Sequence, residues 1–257
     1  AERHTAFDVI HYQGAYFPMS LAFSRLLPVP VVQTLHHQPH PSQLRLLQHY
    51  PEAHYVAISE YQAQALAGLR DVSIIPHGLD TARFPFGEKP EEYVAFLGRF
   101  IPGKGALEAI EVARRAGVRL LMAAAETDYY HQQIAPHIDG EHIQHLGELD
   151  FAAKTQLLAN ARALIYPVQT PEPFGLVLVE AMACGTPVAA LSCGAVPELI
   201  APGLSGQIFE DLDGLVEGLQ QVYALDRARV RDHAQRNFDA RKMVDAHEVL
   251  YRRLVKR

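Results

Sequence analysis

Two glutamates, Glu172 and Glu180, are spaced so that both could contact one extended anionic ligand. The sequence predicts that a helix begins between them, because Pro173 suits a first helical turn, where its missing N–H would have no partner anyway. Along such a helix, a rise of about 1.5 Å per residue would separate the carboxylates by about 12 Å. The N–H groups and positive dipole end of the helix would lie between them and would stabilise a pyrophosphate. The spacing therefore favours a ligand the length of a nucleoside diphosphate-sugar.

A buried helix whose acids only cap its ends is the alternative interpretation. Glu172 alone would fit it, since acids are common in first helical turns. Glu180 fits it less well, because it lies in the apolar run Leu-Val-Leu-Val-Glu-Ala-Met-Ala, where an unpartnered carboxylate costs several kcal/mol. Glu180 is therefore the stronger indication of a functional site.

The stretch from Glu172 to Glu180 resembles the Glu-x7-Glu signature of retaining glycosyltransferases of family 4, which have the two-domain GT-B fold. The matching residues include both acids, the Phe-Gly pair between them, the run from Glu180 to Val188 and the downstream segment 194–198. The resemblance implies that Glu180 contacts the nucleotide ribose and that Glu172 contacts the hydroxyls of the donor sugar. It also implies that the residues at the helix start bind the donor, namely Phe174, Gly175, Leu176 and Val177.

Two cations, Arg99 and Lys104, lie on a turn between a predicted strand and a predicted helix. Such a pair can neutralise a diphosphate with help from the helix N-terminus. The turn is similar to the Gly-Arg-x4-Lys-Gly element of the same family, whose Arg and Lys hold the donor phosphates. It also nearly matches a P-loop, but Gly105 has no hydroxyl for magnesium and Pro102 has no N–H. A solvated pair of surface cations is the simplest alternative.

His36 follows a predicted strand over residues 29–35. The resembled family often places a histidine just after this strand, in contact with the donor sugar, and His36 matches it best by position. Because His36, His37 and His40 lie within five residues, a zinc site is a second interpretation, although no nearby cysteine or helical spacing supports it. A third is that these histidines simply belong to a polar loop.

Two further patterns are interpreted as structural. Asp211-Leu212-Asp213 has the Asp-x-Asp spacing that glycosyltransferases of another fold use for manganese, but it precedes a predicted helix, where Asp is a common N-cap. Cys184 is expected to be a small packed residue near a helix end rather than a nucleophile. We therefore expect no cofactor and no resident metal ion.

The composition indicates a globular protein that neither binds nucleic acid nor spans a membrane. The 257 residues carry a net charge of −6, so no general basic field would attract nucleic acid. The chain has 2 cysteines, which favours a reducing cytoplasm, and no apolar run approaches about 18 residues. The tail over residues 241–257 carries six cations and two acids in an amphipathic pattern, which is compatible with peripheral membrane contact.

Strands and helices alternate along the chain, which predicts the α/β class with parallel sheets. Among these elements are a strand over 93–97 and helices over 19–27, over 106–116 and around 128–138. We expect two Rossmann-like domains of the GT-B type, over residues 1–84 and 85–240, with a proline-containing linker over 76–92. A C-terminal helix over 241–257 is expected to pack back toward the first domain. Compared with the family, the N-terminal domain lacks a glycine-rich loop and further strand–helix units. We therefore expect it to be incomplete, either through truncation or because a partner chain completes it.

These features imply a retaining glycosyltransferase that moves a sugar from a nucleoside diphosphate-sugar, with UDP-sugar favoured, to a hydroxyl acceptor. Its main task would be to stabilise charge on the departing diphosphate with fixed cations and dipoles, without metal. Two alternatives stay open: a nucleotide-sugar epimerase, and a truncated non-catalytic subunit that binds nucleotide or a partner chain. A dinucleotide dehydrogenase is disfavoured, because no Gly-x-Gly-x-x-Gly follows a strand.

Overall fold

The computed structural model describes residues 7–14, 21, 22 and 24–255. The chain divides into two compact units. Unit 1 comprises residues 1–78, 172–174 and 240–257, and unit 2 comprises residues 79–171 and 175–239. The division therefore falls after Gly78 and after Asp239, whereas the sequence-based boundaries fall after residues 84 and 240.

Unit 1 is built on a parallel sheet, whose strand order among the described residues is β1-β2-β3-β4. The strands are β1 (Ile10–Tyr12), β2 (Val31–Thr34), β3 (His54–Ala57) and β4 (Val72–Ile74), and two helices of this unit are α1 (Pro41–Gln48) and α2 (Glu60–Ala65). β2 and β3 are buried along their whole length, as expected of parallel strands covered on both faces. The helix predicted over 19–27 lies partly outside the described residues.

Unit 2 is built on a larger parallel sheet, with the order β10-β9-β8-β5-β6-β7 in the described part of the chain. Its strands are β5 (Tyr93–Leu97), β6 (Arg119–Ala123), β7 (Ile143–His145), β8 (Ala163–Tyr166), β9 (Val188–Leu191) and β10 (Gly206–Phe209). Its helices are α3 (Ala106–Ala116), α4 (Phe151–Asn160), α5 (Leu176–Ala183), α6 (Val196–Leu199), α7 (Leu212–Tyr223) and α8 (Arg227–Phe238).

The apolar patterning of the unit 2 helices explains most of these elements. In α7, for example, Leu215, Leu219 and Val222 recur at helical spacing and are buried in the core against the sheet. The helix predicted over 128–138 is helical over residues 128–137, but a break in the regular α-helix leaves a π-helical turn (Tyr130–Ile134) and a 3₁₀ turn (Ala135–His137) after a short α-helical start. Pro136 accounts for the break, because it cannot donate the N–H that a continuing α-helix would require.

The last helix, α9 (Ala240–Val255), packs within unit 1. Leu250 and Leu254, one helical turn apart, are buried in a cluster with Val56 of β3. Arg253 of α9 also donates to Ser73 Oγ in β4 at 3.2 Å. In the described part of the chain, no helix has the length and apolar character needed to cross a bilayer.

The segment predicted as a linker over 76–92 is packed against the rest of unit 2 from Leu79 onward. Leu79 N donates to Phe238 O at 2.8 Å, and Thr81 Oγ1 donates to Asp239 Oδ2 at 2.8 Å. The linker interpretation is wrong for these residues, because prolines exclude regular secondary structure but do not prevent an irregular segment from packing.

Arg227, the first residue of α8, holds several irregular segments of unit 2 together. Its guanidinium donates to Ala159 O at 2.7 Å, Ala161 O at 2.8 Å and Thr186 Oγ1 at 2.7 Å, and also to Gly87 O. Burial lowers the pKa of Arg227 to about 10, so the group still carries its charge at neutral pH. One half-buried cation therefore satisfies carbonyl groups that the sheet and helices leave unpaired.

Candidate functional site

The strand order of unit 2 reverses at its centre. From β5 the chain continues through β6 to β7 on one side of the sheet, whereas β8, β9 and β10 follow on the other side. Loops at such a switch point diverge and leave a crevice outside the carboxyl ends of the strands, where ligands bind in open α/β sheets. Residues 98–105, here called the cationic turn, follow β5 and carry Arg99 and Lys104. The loop after β8 leads into the Glu-x7-Glu stretch.

The cationic turn packs directly against the loop after β8. Gly103 O accepts hydrogen bonds from the backbone N–H groups of Gln169 at 3.0 Å and Thr170 at 3.1 Å. Gly103 and Gly105 have left-handed backbones, with φ of 80° and 85°. A Cβ on Gly105 would lie 2.5 Å from Pro167 O, so a larger residue would force the two loops apart.

The two cations of this turn differ in environment. Arg99 is exposed, whereas Lys104 is half-buried. Burial lowers the pKa of Lys104, and the positive charge of Arg99 lowers it further. A bound anion would oppose both effects, since its negative charge stabilises the protonated amine. The turn is therefore suited to an anionic group.

α5 begins at Leu176, after the N-cap residue Gly175. Pro173 is therefore not in a first helical turn, and the helical rise does not give the separation of the two carboxylates, because residues 172–175 are not helical. Gly175, with an extended φ of 174°, ends the helix on this side, since glycine has little helical propensity. No side chain among the described residues caps α5, so N–H groups of its first turn can serve as donors to an anion.

Glu180, on α5, forms an ion pair with Lys154 on α4. Lys154 Nζ donates to Glu180 Oε1 at 2.6 Å, and the side chains of Lys154 and Glu180 are 26% and 15% exposed. This partner explains how an apolar helix accommodates a carboxylate. Sequence reasoning missed Lys154, because 26 positions separate it from Glu180 and no local spacing relates the two helices. The one available signal is that Lys154 is the sole cation in the α4 sequence.

The two patterns interpreted as structural are confirmed. Asp211 accepts from Gly214 N at 2.8 Å as the N-cap of α7, and Asp213 pairs with Arg115 at 2.6 Å. Cys184 is fully buried at the C-terminal end of α5, and burial raises the pKa of its thiol to about 12. No three His, Cys, Asp or Glu side chains within the described ranges are grouped as metal ligands.

In unit 1, the rings of His36, His77 and Phe174 pack in a row. The His36 and His77 rings are parallel, with centroids 5.2 Å apart, and His77 meets Phe174 edge-on at 5.2 Å. His36 Nε2 also bonds to Gln13 Oε1 at 2.9 Å. Burial lowers the pKa of His77 to about 4 and also lowers the pKa of His36. The His77 ring is therefore neutral at neutral pH and can donate or accept one hydrogen bond per nitrogen.

A second pair of histidines in unit 1 lies beside α9. The ring centroids of His11 and His247 are 5.1 Å apart, and His11 Nε2 lies 2.7 Å from Thr34 Oγ1. Burial lowers the pKa of His11 to about 4, and neighbouring histidines lower it further. His247 Nε2 is buried and makes no hydrogen bond within the described residues. Protonation of both His11 and His247 would place two positive charges close together, with ring centroids 5.1 Å apart.

The predicted site residues divide between the two units. Unit 2 contains Arg99, Lys104, Gly175, Leu176, Val177 and Glu180, and unit 1 contains His36, Glu172 and Phe174. Within unit 1, His77 joins His36 to Phe174, and sequence reasoning missed it as a site residue. The signal was present, since His77 lies in the Pro-His-Gly sequence that ends the run from β4.

Two parallel α/β units, one with a cationic turn at its switch point, define a protein of the GT-B fold class. The family model described as "Glycosyl transferases group 1" matches residues 80–237, and the model described as "Glycosyltransferase Family 4" matches residues 1–83. The chain belongs to the glycosyl transferases group 1 family, and the resemblance to family 4 is confirmed.

Individual relatives agree with this family. The chain is 30% identical over 249 residues to the phosphatidyl-myo-inositol mannosyltransferase of Mycolicibacterium smegmatis. The aligned region covers 87% of this chain and 64% of the mannosyltransferase. The chain is also 30% identical over 204 residues to a glycogen synthase of Mycobacterium tuberculosis, covering 72% of this chain and 49% of that protein. The chain therefore spans less than two thirds of the length of these two relatives.

Solved structures show the same fold. The structure of HepE from Anabaena in complex with UDP and glucose matches with a TM-score of 0.81 at 23% identity, covering 97% of this chain and 79% of HepE. At this identity the likeness supports the GT-B fold, with its two Rossmann-like domains.

Proposed function

We propose that this protein transfers a sugar from a nucleoside diphosphate-sugar to a hydroxyl acceptor, with retention of the anomeric configuration and without a metal ion. In this proposal Arg99 and Lys104 bind the donor diphosphate, and Glu180 binds the hydroxyls of its ribose. The N–H groups at the start of α5 bind sugar or phosphate oxygens. Glu172 and His36 contact the donor sugar, as the family resemblance implies.

One observation supports this proposal above the others: the cationic turn contacts the loop after β8 at the switch point of the unit 2 sheet. The hydrogen bonds from Gln169 and Thr170 to Gly103 join the loop with both cations to the loop that leads into α5. Two cations and an uncapped helix start, which are far apart in sequence, thus belong to adjoining loops. Such a combination is suited to phosphate groups.

The chemical task is to stabilise the negative charge that develops on the leaving diphosphate. Fixed cations at Arg99 and Lys104 can supply this stabilisation while the bond between the anomeric carbon and the phosphate oxygen breaks. The acceptor hydroxyl attacks the same face of the sugar, and its proton passes to the leaving phosphate. No side-chain nucleophile is required, which is compatible with the buried, protonated thiol of Cys184.

The direct test is to incubate the full chain with UDP-, GDP- and ADP-sugars in the presence of EDTA and to measure the released nucleoside diphosphate, with and without hydroxyl acceptors. UDP-sugars are the first choice, because HepE, which has the same fold, is described in complex with UDP and glucose. NMR of the product tests retention, and an inverted anomer would contradict that part of the proposal.

Lys104→Met is expected to lower turnover about 10- to 100-fold, because a hydrogen bond to a charged group contributes about 1.5–3 kcal/mol. Lys89→Met is the matched control, since Lys89 is an exposed lysine outside the cationic turn. Equal activity of the two variants would contradict the role of Lys104. Binding of a nucleoside diphosphate without any turnover would instead support the alternative of a non-catalytic nucleotide-binding protein.

A further inference from the structure

The carboxylate of Glu180 is bound within the protein through one of its two oxygens. Lys154 Nζ donates to Oε1 at 2.6 Å, and Oε2 makes no hydrogen bond within the described residues. The Glu180 side chain is 15% exposed, so solvent reaches part of the carboxylate. One oxygen is therefore fixed by a cation and the other is available to a ligand.

Lys154 is itself held on two sides. Its ammonium lies 5.7 Å from the ring centroid of Phe151, which is three residues earlier on α4. Arg83 lies over the same ring at 4.7 Å. Between an aromatic face and a carboxylate, a lysine side chain loses much of the rotamer freedom that it has on an open surface. The position of Nζ, and with it the orientation of the Glu180 carboxylate, is therefore well defined.

We propose that Lys154 is a positioning residue that orients Glu180 toward a vicinal diol, the 2′- and 3′-hydroxyls of the donor ribose. This inference rests on the proposed function, in which Glu180 binds the ribose hydroxyls, and adds a residue to it: Lys154 fixes the carboxylate that binds them. Lys154 does not contact the ligand in this proposal. It holds the Glu180 carboxylate in one rotamer, so that little ordering is required when the nucleotide binds.

The charges of the pair favour this role over a purely structural one. A partly accessible ion pair contributes little to folding stability, since the desolvation of both groups offsets their attraction. For ligand binding, however, an ionised carboxylate accepts a hydroxyl hydrogen bond that is stronger than one between neutral groups. Loss of Lys154 would leave the Glu180 carboxylate without its cation, so the comparison with a nucleotide that lacks the diol is needed to separate a folding defect from a loss of diol recognition.

The experiment measures dissociation constants of the full chain for UDP and for 2′,3′-dideoxy-UDP by calorimetry, with the corresponding guanosine and adenosine pairs alongside. The variants are Lys154→Met, Lys154→Arg, Glu180→Gln and the double variant Lys154→Met/Glu180→Gln. Lys154→Met is expected to weaken binding of the ribonucleotide about tenfold and to leave the dideoxy nucleotide unchanged within about twofold. Lys154→Arg is expected to retain most of the affinity, and Lys154→Met to have no further effect in the Glu180→Gln background.

The outcomes separate this inference from the function on which it rests. If the unmodified chain binds a ribonucleotide and its dideoxy analogue equally well, the diol role is overturned while donor binding stands. Equal weakening of both nucleotides by Lys154→Met would also overturn it, because a general structural defect acts on both. If the unmodified chain binds none of the three nucleoside diphosphates, the proposed function itself fails and this inference fails with it.

Discussion

Unit 1 and unit 2 share a parallel α/β architecture, but the polar groups at their candidate sites are of different kinds. In unit 1 they are imidazoles whose pKa is lowered by burial, to about 4 for both His11 and His77. In unit 2 they are the cationic turn and the ion pair of Glu180 with Lys154. Unit 2 therefore offers permanent charges suited to an anion, whereas unit 1 offers neutral rings whose protonation depends on pH.

The largest effect on stability is expected at Gly105, where the backbone of unit 2 packs closely against Pro167 O. Gly105→Ala should lower the free energy of unfolding by about 2–4 kcal/mol, because it adds left-handed backbone strain to a clash with Pro167 O. Gly117→Ala is the matched control: its φ of 65° is also left-handed, but a Cβ there meets nothing within 4 Å. We expect that control to cost only about 1–2 kcal/mol.

Urea unfolding of both glycine variants measures this difference, and calorimetry with nucleoside diphosphates shows whether the cationic turn is still intact. Equal losses of stability would mean that the two loops can separate without cost. In that case the contact between them would not support the site.

Acid should destabilise unit 1 before unit 2. Histidine in the unfolded chain titrates near pH 6.5, whereas the pKa values of His11 and His77 are about 4 in the folded protein. Between these values the unfolded chain binds more protons. The contribution of the two histidines to stability is therefore fully present above about pH 6.5 and declines as the pH falls toward about 4.

Hydrogen exchange at pH 7 and pH 5, corrected for the intrinsic pH dependence of exchange, compares the two units in one sample. Amides of β2 and β3 are expected to lose more protection than those of β5 and β8. Equal loss of protection in both sheets would show that His11 and His77 do not control the response to acid.

A variant at His77 tests whether one ring of unit 1 contributes to this difference between the units. His77→Phe preserves a ring that can pack between His36 and Phe174 but removes one titrating group. The difference in urea midpoint between pH 7 and pH 5 should become smaller in this variant. His142→Phe, at an exposed position of unit 2, should leave that difference unchanged. An unchanged pH response in His77→Phe would remove His77 from the explanation.

The smallest effects are expected at helix caps, where the two units can be compared by one type of substitution. Ser59 caps α2 in unit 1 by accepting from Gln62 N at 3.0 Å and is buried, whereas Asp211 caps α7 in unit 2 and is exposed. Ser59→Ala should cost about 1–2 kcal/mol and Asp211→Ala about 1 kcal/mol, because water can replace only the exposed cap. Thermal unfolding of both variants, with unchanged nucleotide affinity for Asp211→Ala, tests this order.

The sequence predicts the elements of unit 2 best where local signals and packing agree. The sequence predicts the strand over 93–97 and the helix over 106–116 with the observed bounds, since a continuous apolar run precedes the cationic turn and an amphipathic pattern follows it. The capping role of Asp211 was predictable for the same reason. The cationic turn was recognisable because its residues are close in sequence.

What the sequence does not predict depends on contacts between distant residues. Lys154 on one helix pairs with Glu180 on another, and His77 packs between His36 and Phe174. The spacing of residues along the chain predicts neither contact. The start of α5 was misplaced because proline favours a first turn, while Gly175 stops the helix two residues later. The proposed linker failed because a proline-containing segment can be fixed by distant side chains.

The anchoring of residues 79–87 has a practical consequence for anyone who wishes to express unit 2 alone. A fragment that began after Gly87 would deprive Arg227 of one of its carbonyl acceptors and would expose the site that Phe84, 4% exposed, now fills. A fragment over 79–239 keeps the backbone bond from Leu79 to Phe238 and so joins its two ends. Cloning boundaries chosen from proline content would therefore discard part of the folded body.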